Sequence, residues 1–198
     1  MSLTAIAPYA AAWVGVTGLI LLVSRDWRVS LSALGAQYVG VFLLISLVWP
    51  IEFAVIKLVS GWISAAVLGM GLVDQSRSWV DELGRWRSGT IFRIFIAGFV
   101  AILAFVLIPI VGQWILRASD AQIFGAILLM GLGVFHLGLT VQPIRIVLGL
   151  LTLLSGFEII YSTMETSLLL NGMLALVTLG LALTGSYLNA ASGAEANP

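Results

Sequence analysis

The chain has 198 residues, 61% of them hydrophobic and 9% charged, and its nine basic and nine acidic side chains cancel. A soluble domain carries about a quarter charged residues, so this composition belongs to an integral membrane protein. The absence of cysteine excludes disulfides, iron–sulfur clusters and thiolate zinc sites, and a single histidine excludes a bis-histidine haem held by this chain alone. The basic residues fall in short clusters that cannot follow a nucleic-acid backbone. No cofactor is expected in the chain, and lipid rather than nucleic acid is its expected surrounding.

Segments of about 20 apolar residues, the length that crosses roughly 30 Å of hydrocarbon, predict an all-α, polytopic bundle of seven transmembrane helices. They fall at 8–24, 29–49, 51–73, 91–116, 121–141, 143–162 and 166–187. The whole of 1–187 reads as one transmembrane domain. The first segment, in MSLTAIAPYAAAW, lacks the basic region and small-residue cleavage site of a secretory signal and is expected to be retained. At Trp49-Pro50 and Gln142-Pro143 each proline can open a new helix, because the first turn needs no amide donor; a kinked continuous helix is the alternative at each.

The loop between the third and fourth spans, 74–93, is the one sizeable polar piece, and its tryptophans and arginines suit an amphipathic helix in the headgroup region. Loops on this side hold Arg25, Arg28, Arg77, Arg85, Arg87, Arg93 and Arg145, against Arg117 alone on the other. The bias places the N-terminus outside and the C-terminus in the cytoplasm, as in a bacterial or archaeal inner membrane. The tail, 188–198, is small and polar and is expected to be disordered.

Two hairpins share a plan: GLILLVSRDWRVSLSALGAQYVGVFLLI and GVFHLGLTVQPIRIVLGLLTLLSGFEII each run span, tight turn, arginine, then a span with small residues. Such an echo is the mark of an internal duplication, though any two membrane hairpins with a basic turn share part of it.

Several polar residues lie inside the predicted spans. Ser155, Glu158 and Ser162 share one helix face at spacings of three and four. A carboxylate in hydrocarbon must be paired, neutralised or wetted, so Glu158 is either a proton-relay group or a bonded pin between helices. Lys57 stands five residues after Glu52, a spacing that puts the two on different helix faces, so Lys57 must snorkel to the headgroups or find another partner such as Glu158. Glu165 lies near the turn between the last two spans, where water or a helix N-terminus can stabilise it.

His136 is a candidate relay or axial ligand, or a donor to a neighbouring carbonyl. Gln37 and Asn171 read as helix-to-helix hydrogen bonds, and glycines 61, 69, 71, 131, 133 and 138 as flat packing faces. Trp27, Trp49, Trp79, Trp86 and Trp114 read as interfacial anchors. No nucleotide loop, metal constellation or nucleophile–base pair is legible, so catalysis by this chain alone is not expected.

The second hairpin, GVFHLGLTVQPIRIVLGLLTLLSGFEIIY, resembles the K subunit of bacterial respiratory complex I and the C subunit of Mrp-type sodium/proton antiporters. The seven-span length and the opening TGLILLVSRDWRVSLSALGAQYVGVFLLI are similar to component E of hydrogenase-4 and formate-hydrogenlyase-like complexes. The resemblance implies a small helical subunit packed among larger antiporter-like and redox membrane subunits. Where that K subunit carries a glutamate two residues after a helix glycine, this chain has Leu151 after Gly149, so no proton-channel glutamate of the family carries over. A Lys57–Glu158 contact would resemble the alternating lysine and glutamate axis of proton-pumping arms.

The leading expectation is a non-catalytic membrane subunit of a proton- or sodium-translocating respiratory or hydrogenase-type complex, with Glu158, Lys57, His136 and Glu165 as path candidates. A structural or pigment-contacting subunit of a respiratory or photosynthetic assembly would account for the same glycines; a small free-standing transporter is the third reading, disfavoured by the few polar residues for a midplane site.

Overall fold

A computed structural model describes residues 3–73, 89–165 and 167–195. Among the described residues there are seven helices: α1 (Leu3–Val23), α2 (Trp27–Ile45), α3 (Ile51–Val73), α4 (Gly89–Gly112), α5 (Asp120–Gly138), α6 (Pro143–Met164) and α7 (Leu168–Glu195). All seven are long and apolar enough to cross a membrane, and the described residues form no strand. The fold is an all-α membrane bundle.

Local chemistry fixes the helix ends. Asp26 caps α2 by accepting the Arg28 amide, and Ser119 and Gln122 form a reciprocal capping box at the start of α5. Both prolines begin new helices: residues 46–49 turn out of α2 before Pro50, and Pro143 is the first residue of α6. Arginines close the far end of α1. Arg93 donates to the Leu22 carbonyl, and Arg145 to the carbonyls of Ser24 and Arg25, which a helix C-terminus leaves without intrahelical partners.

Two expectations need correction. Arg93 does not belong to a loop; it lies one turn inside α4 and is buried against α1. The tail does not become irregular at 188, because α7 continues to Glu195 and buries Asn189, whose side-chain amide donates to the Gly71 carbonyl on α3. The composition of 188–195 reads as a polar tail, but alanines favour helix and Asn189 finds an acceptor across the bundle. The amphipathic helix expected in 74–93 lies outside the described residues except for its last five positions, which open α4.

The duplicated plan of the two hairpins extends to whole three-helix units, α1–α3 and α5–α7. The single span α4 between them makes both units run in the same direction, and α4 itself packs chiefly on α5 and α1. Within each unit successive helices are neighbours, and across the bundle α1 meets α5, α2 meets α6 and α3 meets α7. One register, 116 residues, relates the units. Asp26 and Gln142 hold the N-cap positions of α2 and α6. A Cβ on Gly40 would strike Val14, with the Ala10 carbonyl behind it; one on Gly156 would strike Met130 and the Ala126 carbonyl. Gly69 faces Leu31 as Gly185 faces Val147, and Ser46 bonds the Leu43 carbonyl as Ser162 bonds that of Ile159. Each pair keeps the same spacing, so close approach is built twice from the same positions.

Candidate functional site

The two units meet around an ion pair. Lys57 of α3 donates from Nζ to Glu158 Oε1 of α6, and each side chain is only 2% exposed. Lys57 therefore neither snorkels nor pairs with Glu52. Two charges taken out of water are tolerable here because each neutralises the other; removing either would strand its partner at a cost of about 3–5 kcal/mol. The second carboxylate oxygen, Oε2, is buried and meets no hydrogen-bond partner among the described residues. Lys57 lies six residues into α3 and Glu158 six residues before the end of α6. At 1.5 Å per residue both stand about 9 Å below the end of the bundle opposite the arginines.

Aromatic side chains stand on either side of the pair along the bundle axis. Toward the arginine-rich end lies Tyr38 of α2, fully buried, its hydroxyl beside Ser155 and Glu158. Its ring occupies a notch at Gly61, one turn beyond Lys57 on the same face of α3, where a Cβ would strike the ring. Toward the opposite end lies Trp49, in the link between α2 and α3. Its indole Nε1 donates to the Ser162 carbonyl over 2.8 Å, one turn beyond Glu158 on α6. Trp49 shares a buried apolar cluster with Ala54, three residues before Lys57, and Ile159, next to Glu158. At 5% exposure it is an interior residue, which corrects its reading as an interfacial anchor.

The other candidates separate from this centre. Ser155 and Ser162 are buried beside Glu158, yet each hydroxyl donates to a carbonyl of its own helix, Leu151 and Ile159 respectively. Asn171 makes the expected interhelical bond, from Nδ2 to the Phe53 carbonyl, whereas both polar atoms of buried Gln37 lack a partner among the described residues. Glu165 is exposed just past the end of α6, well outside the bundle interior. His136 lies in the last turn of α5 near the arginine-rich end, with Arg145 and Arg93 as its charged neighbours. Its 3% exposure leaves no open face for a macrocycle, and its Nε2 meets no partner among the described residues. It does not join Lys57 and Glu158. Among the described residues no three His, Asp or Glu side chains cluster as metal ligands.

The residues missed by sequence reasoning are Tyr38 and Trp49. Tyr38 had one available signal, the glycine four residues after Lys57, which opens a notch on the lysine's own face. Trp49 had none, because a tryptophan before a proline at a span end looks the same whether it turns to lipid or inward. No family model matches the chain, and neither a curated protein nor a solved structure matches it.

Proposed function

We propose that this chain is a non-catalytic membrane subunit of a proton- or sodium-translocating complex of the respiratory or hydrogenase type, and that Lys57 and Glu158 form a relay in its ion path. The observation that carries this reading is the buried ion pair. A helix bundle needs no such pair for stability, since apolar residues of similar volume pack as well or better, and ionisable groups inside membranes concentrate on ion and proton routes. The second carboxylate oxygen, without a partner among the described residues, supports the same reading, because it leaves Glu158 a place to exchange a proton or meet water while Oε1 holds the lysine. The resemblance of the second hairpin to small subunits of proton- and sodium-moving complexes agrees with it.

Such a subunit sits in an inner membrane with its arginine-rich end toward the cytoplasm. The apolar faces of α4 and α7, which expose Phe95, Phe99, Phe105, Leu169 and Leu176, then meet lipid and larger antiporter-like and redox subunits. The test is purification of the tagged protein from its native membrane in gentle detergent, with mass spectrometry of what accompanies it, repeated with Glu158→Gln. Recovery with redox and antiporter-like subunits, and loss of ion pumping in an assembled mutant complex, is the expected result. A solitary protein, or pumping indifferent to the substitution, would overturn the reading.

A further inference from the structure

We propose that Trp49 is the gate through which the Lys57–Glu158 pair communicates with the membrane surface, and that the route enters from the end carrying Glu52 and Glu165. The inference rests on the reading of the pair as a relay and adds which side it opens to and which residue closes it.

The pair is nearer one end of the bundle than the other. About 9 Å of helix separates it from the end opposite the arginines, while toward the arginine-rich end α3 continues for 16 residues beyond Lys57 and α6 extends back 15 residues from Glu158 to Pro143. On the short side the covering residue that reaches across to α6 is Trp49, which holds Ser162 one turn above Glu158.

The two covers differ in how they are held. Tyr38 projects from the middle of α2, and its ring is locked in the Gly61 notch within an apolar cluster that includes Leu148, Leu151 and Leu68. Moving it means moving a packed helix. Trp49 belongs to a five-residue link, 46–50, between two helices, where one indole hydrogen bond to a backbone carbonyl and packing against Ala54 and Ile159 hold it across the bundle. That carbonyl, of Ser162, lies two residues before the end of α6, within its last turn. Rotation of that one side chain breaks the hydrogen bond and the indole's apolar contacts and opens the short side toward the carboxylate without moving a helix. Glu52 and exposed Glu165 flank the mouth that this motion would open.

The test reads chemical access to Glu158 directly. Full-length protein in lipid nanodiscs is treated at one fixed pH with a water-soluble carbodiimide and glycine ethyl ester, and amide formation at Glu158 is quantified by peptide mass spectrometry against exposed Glu165 in the same sample. Trp49→Ala is expected to raise the Glu158 to Glu165 ratio by about tenfold or more, because the closed state no longer exists to be opened. Trp49→Phe, which keeps the plug without the N–H, should raise it far less, and Tyr38→Leu should leave it where it is. Should Trp49→Ala not yield monodisperse protein, Trp49→Leu is read the same way. An unchanged ratio in the Trp49 variants, or an equal rise in Tyr38→Leu, would overturn the gate. The readout does not depend on ion pumping, so failure of the relay reading and failure of the gate remain distinguishable.

Discussion

The two three-helix units share a backbone plan but not a chemistry. At the shared register Glu158 of the second unit corresponds to Phe42 of the first, and Lys57 of the first to Met173 of the second. Phe42 is half-buried at the edge of an apolar cluster, and Met173 is exposed. The cradles at Gly40 and Gly156 and at Gly69 and Gly185 are thus kept on both sides, while the charges appear once, one in each unit, facing each other. Packing needs the repeat; the ion pair needs only its seam. This difference separates the packing positions, which repeat, from the ion pair, which does not.

The comparison breaks hardest at the charges. Glu158→Gln leaves Lys57 buried against a neutral amide and is expected to cost about 3–5 kcal/mol of stability, measured as detergent-resistant unfolding of the purified protein. Lys57→Met combined with Glu158→Leu should recover most of that loss, since it removes both charges and returns the seam to the apolar character of the other unit. A double variant as unstable as the single one would mean that the pair is structural in a way its register mates are not. By contrast Phe42→Leu, at the mate of Glu158, should cost less than about 1.5 kcal/mol.

The glycine cradles come next. Gly156→Ala would bring a Cβ to 2.6 Å from the Ala126 carbonyl and 2.7 Å from the Met130 amide, both backbone atoms that cannot yield without parting α5 from α6. Gly40→Ala meets the Val14 and Trp13 side chains first, with the nearest backbone atom, the Ala10 carbonyl, 3.5 Å away. Overpacking of this kind costs about 1–3 kcal/mol or more, and the second unit is expected to suffer the larger share. Equal melting shifts for the two variants would show that α1 and α2 are held as rigidly as α5 and α6.

Much of this was legible from residues and some was not. Seven spans, both proline starts and the arginine-rich end follow from hydropathy and helix-end chemistry, which act locally. The possible meeting of Lys57 with Glu158 could be entertained because Glu52 is badly placed, but 101 residues separate the two charges and nothing local chooses between partners. The repeat shows weakly in sequence because what the two units share is small size at a few contact positions amid interchangeable Leu, Val and Ile. Asn189 shows the converse failure: a polar residue in a small-residue stretch reads as solvent-facing until α3 supplies the Gly71 carbonyl.

The seams between units differ as well. Along α3 and α7, Asn171 bonds the Phe53 carbonyl, Ser64 that of Thr178 and Asn189 that of Gly71, whereas α1 and α5 meet through Gly15, Gly18 and Gly125 against leucines and Val14. Interhelical bonds of this kind average about 0.6 kcal/mol in membrane proteins, and Asn171→Ala and Asn189→Ala should each cost roughly that much. Losses several times larger would mean that the polar seam, not the glycine one, holds the units together.

The smallest effects are expected at Ser46 and Ser162, and their equality is the sharpest test of the repeat. Each hydroxyl donates to a carbonyl three residues earlier in its own chain segment, an acceptor that belongs to the end of its own helix. Such local bonds compete with the helix as much as they support it, so Ser46→Ala and Ser162→Ala should each shift stability by only a few tenths of a kcal/mol, within about ±0.5. Ser162 has one further role, as acceptor for Trp49, but it plays that role with its backbone carbonyl, which alanine retains. If the two variants agree in stability and Ser162→Ala also leaves carbodiimide labelling of Glu158 unchanged, the Trp49 anchor depends on where α6 ends and not on the serine hydroxyl. A rise in labelling confined to Ser162→Ala would instead place the hydroxyl itself in the closure, and the repeat would be a framework from which the second unit has departed at this end too.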